Sequence, residues 1–322
     1  MSGISNRREH IGRVVKSKVT RLSWWRYRIV RLLTYIILFD LAFVFLYPFL
    51  YMIITSIKTN QDLLDSTIQW VPRQIRWQNY TIAYHALNYP TAVVNSLVYT
   101  LGGTLGHLLA CSFIAYGFAR YRFPGKNVLF FFLLLMIIIP PQTLIIPYYL
   151  QYSNFGWLGS YLPVLVPTLF GFGLRGGLFI FIFRQFFQGI PKEMEDVARV
   201  DGCTFIGTYF RIVVPISKSV FLVCAILSIV WHWNDFYEPS IFAAAPGMLP
   251  LSVSINGLGR IANSPAAIEN LLGQIGAIDT ETVINNAVFM AATFITIAPL
   301  LVLFCFVQKQ FMQGIERTGL VE

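Results

Sequence analysis

Apolar residues gather into long runs along this chain, and polar residues gather between them. Six runs read as bilayer crossings, at about 32–57, 92–118, 128–149, 162–183, 220–241 and 287–307. Several exceed the roughly 18 apolar residues that mark a helix crossing hydrocarbon. The short alternating segments of a membrane barrel are not the pattern here. The chain therefore reads as an all-α polytopic membrane protein with six transmembrane helices in one domain over 32–310. A basic segment, 1–31, precedes that domain and a tail, 311–322, follows it. Pro140–Pro141, with Pro147 beyond, predicts a break in the third crossing, a device tolerated where the helix is buried or lines a cavity.

Composition agrees with the pattern. Of 322 residues, 56% are hydrophobic and only 12% charged, about half the charged share of a soluble domain, which is near 25%. The net charge of +9 raises nucleic acid as a partner, but the placement of the charges argues against it. Nine of the 24 Lys and Arg precede the first apolar run, from Arg7 to Arg31. With that end inside, Lys58, Arg73, Arg76 and Arg260 are the only basic residues in outside segments, and Arg175 falls within the fourth run. This asymmetry predicts that both termini are cytoplasmic, and the basic segment can also meet anionic lipid headgroups. The first run is too long for the apolar core of a cleaved signal, and no small-x-small site closes it. Cys111, Cys203, Cys224 and Cys305 show no pairing pattern, so neither a disulfide nor a zinc site is expected.

One inside loop, at 190–215, is unusual. Four carboxylates and a glycine sit within "EMEDVARVDG" between two apolar runs. Pro191 suits a first helical turn, and Glu193, Glu195 and Asp196 favour the helix dipole there. Met194, Val197 and Ala198 share a face by spacing. Gly202 can end the helix in a left-handed cap. Thr204 can cap a second helix that Pro215 closes or kinks. A solvated surface helix would satisfy the charges alone.

The spacing says more. Asp196-Val197-Ala198, three residues, Gly202, nine residues, Ile212, one residue, then Val214-Pro215 resembles the EAA loop of ABC importer permeases. Asp stands for Glu, Val for the first Ala and Val for Leu. The resemblance covers nearly the whole chain, through "TSIK", "WVPRQIRWQNY", "NSL", "AYGFARYRFPGKN", "PPQTLIIPYYL", "WHWNDF", "LPLSV" and "QKQFMQGIERTG". The chain is similar to carbohydrate-uptake permeases of the maltose permease G kind. It departs from them in its long basic N-terminus, a longer loop between the last two crossings, and the tail "LVE".

That resemblance implies a type I ABC importer permease fold in a bacterial cytoplasmic membrane. It implies a cytoplasmic ABC ATPase dimer, a second homologous permease, an extracytoplasmic solute-binding protein and a carbohydrate substrate. Met194, Glu195, Asp196, Val197, Ala198, Asp201, Gly202, Ile212 and Pro215 would form the coupling loop, with Met194, Val197 and Ala198 as apolar contacts and Glu195 and Asp196 meeting the ATPase. No P-loop is present, since in "FPGKN" Asn127 follows Gly-Lys where Ser or Thr would hold magnesium. This chain is thus expected to be no enzyme and to bind no cofactor or metal, with ATP and magnesium on the partner ATPase.

Arg175, Trp233, Asn234 and Asp235 are candidates for the translocation path, since ionisable groups at membrane depth point to function by default. Interface aromatics explain the Trp residues equally well. Asp40 reads as making a hydrogen bond within or between helices. "GFGLRG" at 171–176 matches a dinucleotide fingerprint, but no strand precedes it. Gly173 and Gly177, like Gly102 and Gly106, read instead as close-packing pairs. His10, His85, His107 and His232 are scattered in sequence. The alternative class is an ion-gradient-driven secondary transporter or channel for a polar solute, which favours paired intramembrane acids and an inverted repeat; neither is evident.

Overall fold

The computed structural model describes the backbone of residues 2–245, 247–276 and 284–319, and the side chains of 26–245, 247–276 and 284–310. Most of the basic segment 1–31 and all of the tail 311–322 therefore lie outside the described side chains. The described backbone contains helices and no strand. Helix α1 (Ser2–Ser56) runs on from the basic segment into the first apolar run without a break. From Arg26 onward it is exposed along nearly its whole length, and its main neighbour is the last helix of the chain. Asp40 lies on this exposed stretch, away from the other helices of the chain.

The organising element is α2 (Tyr89–Arg120), which begins after Asn88 with Pro90 in its first turn. α3 (Lys126–Ile138) and α4 (Ile145–Asn154) meet at Pro140–Pro141 with a bend of 100°. The missing amides and fixed φ of consecutive prolines account for that break. α5 (Leu162–Thr168) and α6 (Gly176–Gln188) follow. The sequence led us to expect one helix over 162–183. Instead Gly171 at φ +72, Gly173 at +90 and Arg175 at +59 turn the chain between α5 and α6. The glycines adopt these angles freely, so "GFGLRG" is a helix break. Gly173 and Gly177 do not form a packing pair. Gly173 belongs to the turn, close to Pro167 and Thr168, whereas Gly177 packs against Leu133, Met136 and Ile137 of α3.

Beyond α6 come α7 (Glu193–Val200), α8 (Phe205–Thr208) and α9 (Lys218–Asn234). The segment from Phe205 to Ile216 meets α9 at 80°. α9 stops at Asn234, short of the expected 241, because Asp235 is extended; Tyr237–Phe242 is a separate helix. The long segment that follows holds α10 (Leu251–Ala262) and α11 (Pro265–Ile275), and α12 (Asn286–Gly319) closes the chain. Among the described residues three helices are long and apolar enough to cross a membrane unbroken, within Arg26–Ser56, Tyr89–Arg120 and Asn286–Gln310. Counting each bent pair as one span gives up to five. The third and fourth apolar runs are each divided by a helix break, the third as its prolines predict.

Small residues on α2 let the divided helices approach it. A methyl group added at Gly106 would stand 2.1 Å from Thr168 Oγ1, and one at Gly103 would stand 2.4 Å from the His232 ring. Gly102 faces Leu165 in the same way. His107 and His232, far apart in sequence, come together here with ring centroids 5.1 Å apart. His107 Nε2 lies 3.1 Å from Phe172 O, which partners a carbonyl freed by the α5–α6 break. His232 Nδ1 lies 2.9 Å from Ser228 O.

At the end of α2 where Asn95 lies, the polar landmarks of the sequence act as knots. Asn95 Nδ2 donates to Gly247 O (2.8 Å) and Leu249 O (3.1 Å), while Tyr161 OH donates to Asn95 Oδ1 (2.6 Å). The buried Lys58 donates to Ile68 O and Gln69 O, both at 2.8 Å. Asn79 Nδ2 donates to Ser56 O and Lys58 O, both at 2.9 Å. These bonds fold the 57–86 segment onto the end of α1.

The α2 glycines generate a paired test. Gly106→Ala overpacks α2 against Thr168 and is expected to cost about 1–3 kcal/mol, lowering the thermal midpoint of the purified protein. Gly117→Ala, on the same helix with open space around it, is expected to be neutral or to stabilise by up to about 1 kcal/mol. Equal midpoints for the two variants would refute the packing assignment.

Candidate functional site

The 190–215 loop is built on the Arg120 end of α2. In α7, Glu195 and Ala198 are buried, and they lie three apart on one face. Met194, Val197 and Val200 point outward and are 44, 62 and 86% exposed. The helix is therefore two-sided, with an apolar outer edge and an inner face that carries a charge. This corrects two expectations. Glu195 meets this chain's own Arg120, and Ala198 packs inward; only Met194 and Val197 of the expected apolar trio face out.

The inner charge sits against a counter-charge, in close contact but without an aligned hydrogen bond between Arg120 Nε and Glu195 Oε1. Arg120 Nε lies 2.6 Å from Glu195 Oε1, and the two side chains are 4 and 3% exposed. Tyr116 OH donates to Glu195 Oε2 at 3.2 Å, and Arg120 Nη2 donates to Ile190 O at 2.6 Å. One arginine at the end of α2 thus holds both the start of the loop and its first helix. Asp196 stays at the surface, 3.4 Å from Arg199 Nη1, where a pair contributes little. Asp201 is exposed as well.

Gly202 makes the elbow. Its φ is +79, with open space where a side chain would sit. Thr204 Oγ1 accepts from Gly207 N at 3.2 Å and starts α8 as the sequence suggests. A wide π turn over Tyr209–Val213 follows and contains the half-buried Ile212. Pro215 is exposed beyond it. Aromatic rings fasten this second limb to α2. Phe205 stacks on Tyr116 at 5.2 Å, and Tyr209 lies 5.3 Å from Tyr116 and from Phe113. The Tyr209 hydroxyl is 2.6 Å from Ser112 Oγ. Burial raises the pKa of Tyr209 above that of an ordinary phenol, so it acts here as a neutral hydrogen-bonding group.

A second feature lies where the helix breaks converge. The end of α3, the Pro140–Leu144 bend, Tyr148, the 172–178 turn and the residues after α9 line an open cavity of about 370 Å³. Arg175 and Asp235 both line it, as do Gln142, Tyr237 and Glu238. The guanidinium of Arg175 lies 4.6 Å over the Trp231 ring. Asn234 does not line the cavity and bonds back to Val230 O at 2.8 Å. Trp233 is in the core, donating from Nε1 to Thr296 O at 3.1 Å. The structure therefore brings together two of the four path candidates and adds Gln142, Tyr148, Tyr237 and Glu238. Tyr237 belongs to the aromatic cluster near the end of the fifth apolar run that the sequence itself marks, whereas Gln142, Tyr148 and Glu238 carry no such signal because the break that gathers them is a matter of backbone angle.

Comparison with known proteins places this architecture. Residues 102–317, including the whole 190–215 loop, match the family described as "Binding-protein-dependent transport system inner membrane component". The chain is 28% identical over 282 residues to the arabinooligosaccharides transport system permease protein AraQ of Bacillus subtilis (strain 168), covering 87% of this chain and 92% of AraQ. It is 24% identical to the polygalacturonan/rhamnogalacturonan transport system permease protein YtcP of the same organism, covering 89% and 96%. A crystal structure of a bacterial ABC transporter involved in the import of the acidic polysaccharide alginate contains a chain that superimposes with a TM-score of 0.74 at 22% identity, covering 88% of this chain and 97% of that one. With an all-helical fold, divided helices and a family match that spans the loop, the chain belongs to the inner-membrane components of binding-protein-dependent transport systems.

Proposed function

We propose that this chain is the permease subunit of an ATP-driven importer that carries a carbohydrate across the bacterial cytoplasmic membrane by alternating access. In this reading 190–215 is the cytoplasmic coupling loop, and both termini face the cytoplasm. The outer edge of α7 docks on an ABC ATPase dimer that binds ATP and magnesium. A second homologous permease and an extracytoplasmic solute-binding protein complete the assembly. The two-sided character of α7 carries the reading. A surface helix with no partner gains nothing from exposing Met194, Val197 and Val200 while burying Glu195, and exposed apolar groups of this kind mark an interaction site. The saccharide-linked names of several relatives support the substrate class.

The buried pair gives the loop its mechanical role. Force applied at Met194 and Val197 reaches α2 through Glu195 and Arg120 before α9 moves. Removing one member of a buried pair strands the other charge and costs about 3–5 kcal/mol. Glu195→Ala and Arg120→Ala are each expected to lower substrate-stimulated ATP hydrolysis sharply but measurably in the purified assembly. Arg120→Ala should lose more than Glu195→Ala because it also frees the Ile190 carbonyl. A double-mutant cycle in which the two losses simply add would remove Arg120 and Glu195 from the transmission path.

The elbow generates a second expectation. An L-residue held at a left-handed angle costs roughly 1–2 kcal/mol, and Gly202 has no neighbour that adds a clash. Backbone preference alone should then rank the variants. Gly202→Asn is expected to keep more stimulated ATPase activity than Gly202→Val, since Asn tolerates this region and a β-branched residue does not. All variants should still reach the membrane. Copurification of an ATPase chain, diminished by Val197→Asp on the outer edge and retained in Gly117→Ala, is the direct test of docking. An ATPase that binds equally to all of these variants would overturn it.

A further inference from the structure

Basic residues on the inner side of a membrane protein need no special account when they are solvated. The group at the corner between α2 and α3 is placed differently. Arg122 lies in the turn after α2, Lys126 opens α3, and Arg184 lies toward the end of α6. Lys126 and Phe130 are four apart and share a face of α3. The guanidinium of Arg184 lies 4.0 Å over the Phe130 ring, and Lys126 feels the repulsion of both Arg184 and Arg122.

Among the described residues no carboxylate pairs with these three cations. The ion pairs there are Arg73 with Asp65, Arg120 with Glu195 and Arg199 with Asp196. Lys126 donates once, to Tyr121 O at 2.8 Å. Arg184 Nε is buried with no acceptor, and a buried N–H in that position calls for one. The backbone adds donors at the same corner. Gly125, at φ +77, turns the chain into α3. The amides of Asn127 and Val128, in the first turn of that helix, have no acceptor in the chain. Such free amides and the helix dipole favour an anion.

We infer that Arg122, Lys126, Arg184 and the start of α3 hold the phosphate of an anionic phospholipid of the inner leaflet. The surroundings favour a lipid over a soluble phosphate. Phe123, Val128, Leu129, Phe131 and Phe132 are exposed, and α3 buries Leu133 alone, so acyl chains find an apolar wall beside the cations. Lys126 and Arg184 are half-buried, as basic side chains are when their stems lie along apolar surface and their heads reach the bilayer edge. The planar guanidinium of Arg184 can meet two phosphate oxygens at once. Basic pockets between helices on the cytoplasmic side are a recurring form of anionic-lipid site. The site requires 120–126 to face the cytoplasm, as proposed above, and is indifferent to the substrate.

Native mass spectrometry of the purified full-length protein, with any chains that copurify, tests the site. The probes are dioleoyl phosphatidylglycerol, dioleoyl phosphatidylcholine and glycerol 3-phosphate. Phosphatidylglycerol is expected to be retained at least about fivefold more strongly than phosphatidylcholine. Excess glycerol 3-phosphate is expected not to displace it. Arg122→Gln/Lys126→Gln should weaken retention by about tenfold or more, since each basic residue near anionic lipid contributes roughly fivefold. Arg76→Gln/Arg260→Gln removes the same charge elsewhere and should change nothing. Arg184→Gln should also lose the lipid, and Arg184→Lys should recover part of it. Arg184 variants disturb the contact with Phe130, so the double variant, which leaves that contact intact, decides. Equal retention of the two lipids, or a double variant that behaves like its control, overturns the site. Displacement by glycerol 3-phosphate overturns the lipid assignment in favour of a soluble phosphate. A double variant that keeps the lipid but loses a copurifying ATPase overturns it in favour of that partner. The importer reading is tested separately, by whether an ATPase copurifies with the unaltered chain.

Discussion

Two charges taken out of water at the end of α2 constrain much of the rest of this molecule. Arg120 and Glu195 are almost wholly buried and 2.6 Å apart. Their desolvation is offset only while their geometry holds and their remaining donors and acceptors are partnered. Tyr116 partners Glu195 Oε2, and the Ile190 carbonyl partners Arg120 Nη2. A pair of this kind adds little net stability compared with apolar residues of the same shape, but it strongly penalises displacement. It defines where α7 sits on α2 and leaves the outer edge of α7 to face whatever binds there. The aromatic cluster of Phe113, Tyr116, Phe205 and Tyr209 fixes the second limb of the loop to the same stretch of α2. Gly202 bends the chain between these two anchored limbs.

The other constraint is the accommodation of broken helices in an apolar medium. A chain that stops hydrogen-bonding to itself inside a membrane must find partners for the freed groups. Here the α5–α6 break meets His107, while the lack of side chains at Gly103 and Gly106 admits His232 and Thr168 to the same helix. The same breaks widen the space that becomes the cavity. Close packing on one side of α2 and a cavity on the other side of the 172–178 turn are consequences of the same glycine-rich sequence.

Much of this was legible in the chain itself. The apolar runs, the Pro140–Pro141 bend, the Gly202 elbow and the Thr204 cap are local signals, carried by residues whose backbone preferences are strong enough to be read alone. The division of 162–183 was missed because Gly residues support both close packing and left-handed turns, and periodicity does not separate the two. The inward turn of Glu195 was missed for a different reason. Its partner lies on another helix, and an acidic helix start satisfies its dipole equally well with a solvated carboxylate. The meeting of His107 with His232, and of Arg175 with Asp235 and Glu238, depends on tertiary approach and leaves no mark at short range.

Placing the rigid and open parts together suggests how one chain serves both ends of a transport cycle. α2 makes its polar knots at Asn95 and Ser96, packs by its glycines in the middle, and makes the Arg120 pair at the far end. An element anchored along its whole length moves as a body or not at all. The divided segments lack that continuity, and their breaks are where small rotations are absorbed. In the proposed cycle, motion at α7 therefore passes into α2 as a unit, and the cavity changes shape because its walls are the ends of interrupted helices that bear on α2 but do not share its stiffness.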